Sequence, residues 1–155
     1  MEYLNLNIRE ANLGDIPALL ELEQYVIEAE KPFNSSIKTE KTYYYDLGDL
    51  ISSKNACLIV VEDSGKIVAT GYAKISESKV ALNHDKHSYF GFMYVCPEYR
   101  GKAINQKVME HLIKWSKSRG ITNCYLDVYS QNQSAIKAYE KTGFEPCLME
   151  MKLSI

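Results

Sequence analysis

The chain has 155 residues with a formal net charge of -2, 46% of them apolar and 25% charged. That describes one ordinary soluble domain, here residues 1–155, able to bury a single core; no global basic field points to nucleic acid. Residues 1–10 hold no signal-peptide core and no apolar run approaches a membrane span, so a soluble cytoplasmic protein with no membrane partner is expected.

In chain order, Leu4, Leu6 and Ile8 alternate with Asn5, Asn7 and Arg9, the pattern of a half-buried strand over residues 4–10. Gly14-Asp15-Ile16-Pro17 opens a helix, with Asp15 as N-cap and Pro17 in the first turn, where proline is tolerated. Leu19, Leu22 (or Leu20), Val26 and Ile27 form its apolar face, and residues 31–36 break it. A weaker helix is expected over residues 43–51. Residues 56–62 read as a strand, Asp63-Ser64-Gly65-Lys66 as a hairpin turn and residues 67–75 as the returning strand. Residues 77–88 are polar and predict a loop or an exposed hairpin end.

Residues 89–95 form a nearly unbroken apolar and aromatic run, as in a strand covered on both faces. Beyond a basic turn, Ile104, Val108, Leu112 and Trp115 line one stripe of a helix, with Met109 and Ile113 beside it and Gly120 closing it. Residues 124–128 predict a strand, residues 132–141 a short helix closed by Gly143, and residues 147–153 a final strand. This alternation predicts an α/β (α+β) fold: a mixed, mostly antiparallel central sheet flanked by helices on both faces.

Cys57, Cys96, Cys124 and Cys147 form no C-x-x-C pair; buried free thiols are expected, and no metal-ligand spacing is present. His84, His87 and His111 read as surface residues. Glu21, Glu23, Glu28 and Glu30 read as a solvated helix face, with attraction of a cationic amine as the functional alternative.

Two segments carry chemistry. From Val95 to Asn105 the sequence Val-Cys-Pro-Glu-Tyr-Arg-Gly-Lys-Ala-Ile-Asn runs from a strand end through a short basic turn into a helix start. Unpaired backbone N–H groups seat phosphate oxygens at such a place, and Arg100 and Lys102 add positive charge. In the second segment, residues 132–144, Asn132 and Tyr139 are seven apart and project from nearly the same helix face. An amide there can hydrogen-bond an extended ligand while a phenol stands further along it. The bland alternatives are a core tyrosine at Tyr139 and solvated charges at Arg100 and Lys102.

Together these segments resemble those of the GNAT-type N-acetyltransferase superfamily, and the resemblance covers nearly all of the chain. The first matches Val-x-Pro-x-Tyr-Arg-Gly-Lys; the second matches Asn-x-x-Ala-x-x-x-Tyr-x-x-x-Gly-Phe at Asn132, Ala135, Tyr139, Gly143 and Phe144. The resemblance implies a GNAT-like fold and acetyl-CoA as cosubstrate, with no metal. It implies that the turn of Arg100, Gly101, Lys102, Ala103, Ile104 and Asn105 cradles the pyrophosphate, mainly through backbone N–H groups. Val95 and the backbone near Met93 would pair with the pantetheine arm like an added strand. Asn132 would bond the same arm, and Tyr139 would stand near the thioester sulfur and protonate the thiolate as an amine attacks the acetyl carbonyl. Ala103 and Asn105 stand where the family most often has glycine. Alanine is expected to fit there in a helical conformation, asparagine at a helix start or in left-handed geometry.

Reference pKa values near 10 for tyrosine and 8.5 for a thiol make complete proton transfer uphill by about 2 kcal/mol. Tyr139 therefore needs a lowered pKa or donates only as the thiolate forms. Deprotonating an aliphatic ammonium at neutral pH costs about 4–5 kcal/mol. Tyr89, Tyr94, His87, Asp127, Glu23 or a water chain are the candidates to take that proton. The strand itself offers Tyr89, Gly91 and Met93 on one parity and Phe90, Phe92 and Tyr94 on the other, with no ordinary base. The acceptor, a primary amine of a small molecule or a peptide, is expected to enter beside residues 31–42 and 77–88. A non-catalytic acyl-CoA-binding or sensing module is the alternative, as is transfer to a hydroxyl or of a longer acyl group. The final strand can pair with a second copy as a homodimer.

Overall fold

A computed structural model describes residues 5–155. Five strands, β1 (Leu6–Glu10), β2 (Ala56–Asp63), β3 (Lys66–Glu77), β4 (Lys86–Val95) and β5 (Cys124–Leu126), form one sheet in that order. The first four are antiparallel neighbours and β5 runs parallel to β4. The helices are α1 (Ile16–Glu30), α2 (Leu47–Ser52), α3 (Ile104–Ser118) and α4 (Gln133–Thr142). The mixed, mostly antiparallel sheet expected from the sequence is present; Leu4 lies outside the described residues.

Strand periodicity sends successive side chains to opposite faces, and β2 therefore builds both halves of the core. Leu58 and Val60 pack with Leu19, Leu22 and Val26 of α1 and Leu47 and Leu50 of α2. Cys57, Ile59 and Val61 pack on the other face with Ile104, Val108 and Leu112 of α3. Ser64 and Gly65 at the β2–β3 turn have φ of 52° and 86°, the double left-handed geometry of a tight hairpin.

Five expectations are corrected. Asn12, not Asp15, caps the entry to the first helical turn, its Oδ1 accepting from Gly14 N at 2.9 Å. Asp15 is buried instead, its two oxygens held by Arg9 at 2.7 and 2.9 Å, while Arg9 Nε donates to Glu62 at 2.6 Å. Residues 43–46 are not helical, because the N–H groups of Tyr44 and Tyr45 donate to the buried Glu23 Oε2 at 3.0 and 2.8 Å; α2 starts only at Leu47, capped by Asp46.

β5 ends at Leu126, and the strand expected over residues 147–153 is not formed. Residues 145–155 are exposed and follow α4 toward the loop after α1, where Lys152 Nζ donates to Ser36 Oγ. Their backbone pairs with no strand of the described sheet. Lastly, His84 and His87 are not free surface groups: Ser78 Oγ bonds both Nδ1 atoms at 2.7 and 2.9 Å, and His84 Nε2 meets the Tyr125 hydroxyl at 2.9 Å.

Candidate active site between the diverging strands

β4 and β5 pair only at Ser88, Phe90 and the residue between them, against Cys124 to Leu126. Beyond Phe90 the outer edge of β4, residues 91–95, has no strand partner among the described residues. A bulge opens the gap. Tyr72 pairs with Gly91 and Thr70 with Tyr94, so Phe92 and Met93 together oppose Gly71, and Phe92 adopts φ of 53°.

The bulge also corrects the expected parity of the strand. Phe92 and Tyr94 join Tyr89 on the α1/α2 face, while Met93 and Val95 join Phe90 on the α3 face. Tyr45 stacks on Phe92 at 4.5 Å and holds the strained residue. Gly71 makes room for the displaced strand, since a Cβ there would lie 2.6 Å from Met93 Sδ.

At the end of the freed edge lies the basic turn. Residues Pro97–Tyr99 make a single 3-10 turn, Gly101 has φ of 76° and Ala103 has φ of 60°. Helix α3 then starts with no side-chain cap and no acidic residue in its first turn. Its first N–H groups therefore keep their capacity for an external anion, and the helix dipole favours one. Ala103 is thus left-handed rather than helical, and Asn105 lies inside α3, so the demand for glycine falls on Ala103 and not on Asn105. Arg100 folds back over the strand end: its Nε donates to Val95 O at 3.0 Å and its guanidinium lies 5.6 Å from the Tyr94 ring. The carbonyl of Val95, a residue expected to pair with the pantetheine arm, carries that bond. Lys102 is exposed on the same turn, beside Ile104 buried in the core.

Asn132 is the N-cap of α4, its Oδ1 accepting from Ala135 N at 3.3 Å. Seven residues on, Tyr139 packs edge-on to Phe144 at 6.3 Å, and Phe144 in turn packs on Phe90 at 5.8 Å. Phe90 is the last β4 residue paired to β5, so Tyr139 stands one ring away from the apex of the opening. Burial pushes its phenol up to about 12, with the charge of Glu30 adding to the shift. The lowered pKa that complete proton transfer would need is absent.

Glu30, at the end of α1, is read from the sequence as part of a solvated helix face, with attraction of a cationic amine as the alternative. Burial raises its pKa, and it shares a hydrogen bond with Tyr44. The segment after it closes on the chain beyond β5: Asn34 Nδ2 donates to the Tyr129 hydroxyl at 2.9 Å and Phe33 stacks on Tyr129 at 6.1 Å. A signal was available, because Glu23 and Glu30 are seven apart on the inward stripe of Leu19, Leu22, Val26 and Ile27.

The other acid–base candidates are occupied or distant. Glu23 is fully buried and holds the backbone of Tyr44 and Tyr45. The Tyr89 hydroxyl donates to Asp127 Oδ2 at 2.9 Å, and burial raises the Tyr89 pKa. Burial likewise raises Tyr94. His87 lies five residues before Phe92, roughly 17 Å along the strand at about 3.3 Å per residue.

A family model described as the acetyltransferase (GNAT) family matches residues 23–144. The chain belongs to the GNAT acetyltransferase family. Among curated members it is 36% identical over 95 residues to glucosamine 6-phosphate N-acetyltransferase of Arabidopsis thaliana, covering 61% of each chain. It is 28% identical over 87 residues to the L-amino acid N-acyltransferase MnaT of Escherichia coli, covering 56% of this chain and 49% of that one. The matched stretch thus spans less than two thirds of either relative.

Among solved structures, the tetramutant of the BH1408 protein from Bacillus halodurans superposes with a TM-score of 0.84 at 22% identity, covering 96% of this chain and 99% of that chain. A predicted acetyltransferase with acetyl-CoA from Clostridium acetobutylicum superposes with a TM-score of 0.74 at 18% identity, covering 96% of both. At these identities the structural likeness concerns the fold. No helix of the described residues is long and apolar enough to cross a membrane.

Proposed function

We propose that this GNAT member transfers an acetyl group from acetyl-CoA to a primary amine of a small molecule or a peptide. One observation carries the reading: the opening beyond Phe90 combines a free strand edge, an uncapped helix start and a half-buried phenol next to its apex. The edge of residues 91–95 suits an extended amide-bearing arm, with Met93 and Val95 as its backbone partners and Asn132 on the opposite side. Arg100, Gly101, Lys102, Ala103, Ile104 and Asn105 suit the pyrophosphate.

In this mechanism the amine nitrogen attacks the acetyl carbonyl carbon; the C–N bond forms, the C–S bond breaks, and its electron pair leaves on sulfur. Tyr139 directs its O–H to that sulfur. With the phenol at about 12 and a free thiol near 8.5, complete transfer would cost about 5 kcal/mol. The phenol therefore acts mainly as a hydrogen-bond donor to developing thiolate in a water-poor site. Glu30 receives the acceptor's ammonium and, directly or through water, its proton, since a carboxylate with a raised pKa is closer to neutrality as a base. The same reading places the protein in the cytoplasm, where the free thiols of Cys57, Cys96, Cys124 and Cys147 stay reduced.

The test mixes the protein with acetyl-CoA and a panel of primary amines that includes amino sugar phosphates, amino acids and short peptides, and follows thiol release with product mass. Turnover of at least one amine is expected. Acetyl-CoA binding with no thiol release for any amine would overturn catalysis in favour of a non-catalytic acyl-CoA-binding module; turnover only with hydroxyl acceptors or longer acyl chains would overturn the acceptor or donor assignment.

A further inference from the structure

We propose that the acetyl acceptor carries a second cationic group and no anion: a diamine or polyamine whose far ammonium is seated by Asp127 against the ring of Tyr89. The inference rests on the reading of the site as an amine acetyltransferase and names its acceptor class. It begins from a row of four rings on the α1/α2 side of the sheet. Tyr44 meets Tyr45 edge-on at 5.6 Å, Tyr45 meets Tyr72 edge-on at 5.9 Å, and Tyr72 lies 6.4 Å from Tyr89. The Tyr72 hydroxyl lies against Gly91, where a Cβ would be 2.4 Å from it. The row therefore passes the first residue of the freed β4 edge.

A carboxylate stands at each end of the row. Glu30 shares a hydrogen bond with Tyr44, and Asp127 Oδ2 accepts from the Tyr89 hydroxyl at 2.9 Å. Glu30 is half-buried and Asp127 exposed, so solvent reaches both. Burial raises the phenols of Tyr72 and Tyr89, and the charge of Asp127 adds to the shift. Burial likewise raises Tyr44 and Tyr45, with Glu30 adding to it. The phenols stay neutral, and the formal charge of the row is that of its two carboxylates. Among the described residues neither carboxylate has an ion-pair partner. Two neighbouring cations are turned elsewhere. Lys74, opposite Tyr89 in the β3–β4 register, reaches Asp49 at 3.4 Å, and Lys31, next to Glu30, reaches Glu28 at 2.7 Å.

Two separated carboxylates joined by aromatic rings suit two ammonium groups joined by an apolar chain. The carboxylates take the charges, while the rings attract cations and cover methylenes. Glu30, whose charge also acts on the Tyr139 phenol, receives the reacting ammonium. Asp127 keeps the other, which passes through the transfer unreacted. An anion on the acceptor would be brought between two carboxylates and away from water, with no cation turned toward it. Glucosamine 6-phosphate and L-amino acids, the acceptors in the names of two relatives, each carry such an anion. The acceptor of this chain belongs to a different class from theirs.

The test measures kcat/KM with acetyl-CoA for three matched acceptors. Cadaverine adds a second amine to pentylamine, and lysine adds a carboxylate to cadaverine. Cadaverine is expected to exceed both by about tenfold or more, with the advantage shrinking as salt rises. Asp127→Asn is expected to bring cadaverine within about twofold of pentylamine. Glu28→Gln, at a solvated carboxylate on the same helix as Glu30, should leave the preference in place. Lysine or glucosamine 6-phosphate used as well as cadaverine, or a preference that survives Asp127→Asn, would overturn the seat and leave the transfer reading standing. If no amine releases thiol, calorimetry of cadaverine against the protein saturated with coenzyme A separates the two. Binding that Asp127→Asn weakens supports the seat while the transfer reading falls; no binding overturns both.

Discussion

Replacing Ala103 by glycine should stabilise the protein, because Ala103 holds a backbone conformation meant for glycine. It sits at φ 60° and ψ 19°, directly before α3. An L-residue loses about 1–2 kcal/mol in that region through contact between Cβ and the following carbonyl. Glycine removes the penalty but enlarges the unfolded ensemble, at a cost of about 0.4–1 kcal/mol. Ala103 is exposed and no side-chain cap is present, so no packing or capping is lost. The net gain is about 0.5–1 kcal/mol, which raises Tm by roughly 1–4 °C for a chain of this size. Thermal unfolding without acetyl-CoA measures it. Gly101→Ala is the mirror experiment: φ is 76° and a Cβ there would meet nothing within 4 Å, so conformation alone is changed and Tm should fall. An Ala103→Gly variant that melts no higher than the parent, together with a Gly101→Ala variant that melts no lower, would refute the strain argument.

Tyr139→Phe should lower kcat by about 100-fold or more while leaving acetyl-CoA affinity, measured by calorimetry, within about twofold; unaltered kcat removes the phenol from the mechanism. Glu30→Gln should lower kcat/KM at neutral pH and flatten the acidic limb of its pH profile. Because burial raises the Glu30 pKa, the folded state disfavours that charge, and the same variant should melt slightly higher at pH 7; an unchanged pH profile would exclude Glu30 as base. Asp15 carries the opposite sign. Arg9 holds its pKa below the ordinary carboxylate value, so its contribution is full above about pH 4 and fades as pH falls through the lowered folded value. Asp15→Asn should therefore cost about 2 kcal/mol at pH 7, below the 3–5 of a fully buried pair because Arg9 is partly exposed, and the difference from the parent should shrink in acid denaturation as the pH falls below the ordinary carboxylate range.

Much of this molecule is determined by residue pattern alone. The short apolar run of Leu58, Ile59, Val60 and Val61, the Asp63-Ser64-Gly65-Lys66 turn and the helical stripe of Ile104, Val108 and Leu112 are local patterns, so strands, turn and helices could be read along the chain. The spacing of Asn132 and Tyr139 and the run from Val95 to Asn105 identified the candidate site for the same reason. What tertiary structure alone decided is whatever depends on partners distant in sequence. The bulge at Phe92 exists because Gly71 and Tyr45 accommodate it, and it reassigns the faces of Phe90 and Phe92, which strict alternation put together. Asp15 was legible as a cap and became the buried partner of Arg9, because a carboxylate's best partner is whichever cation the fold brings to it. Glu30 looked like one of several solvated carboxylates until the segment around Tyr44 and Tyr129 covered it. The segment from Met149 to Ile155 keeps the alternation of a strand while no neighbouring edge in its own chain pairs with it: side-chain pattern is a property of the sequence, but a strand's hydrogen bonds belong to whatever backbone lies beside it.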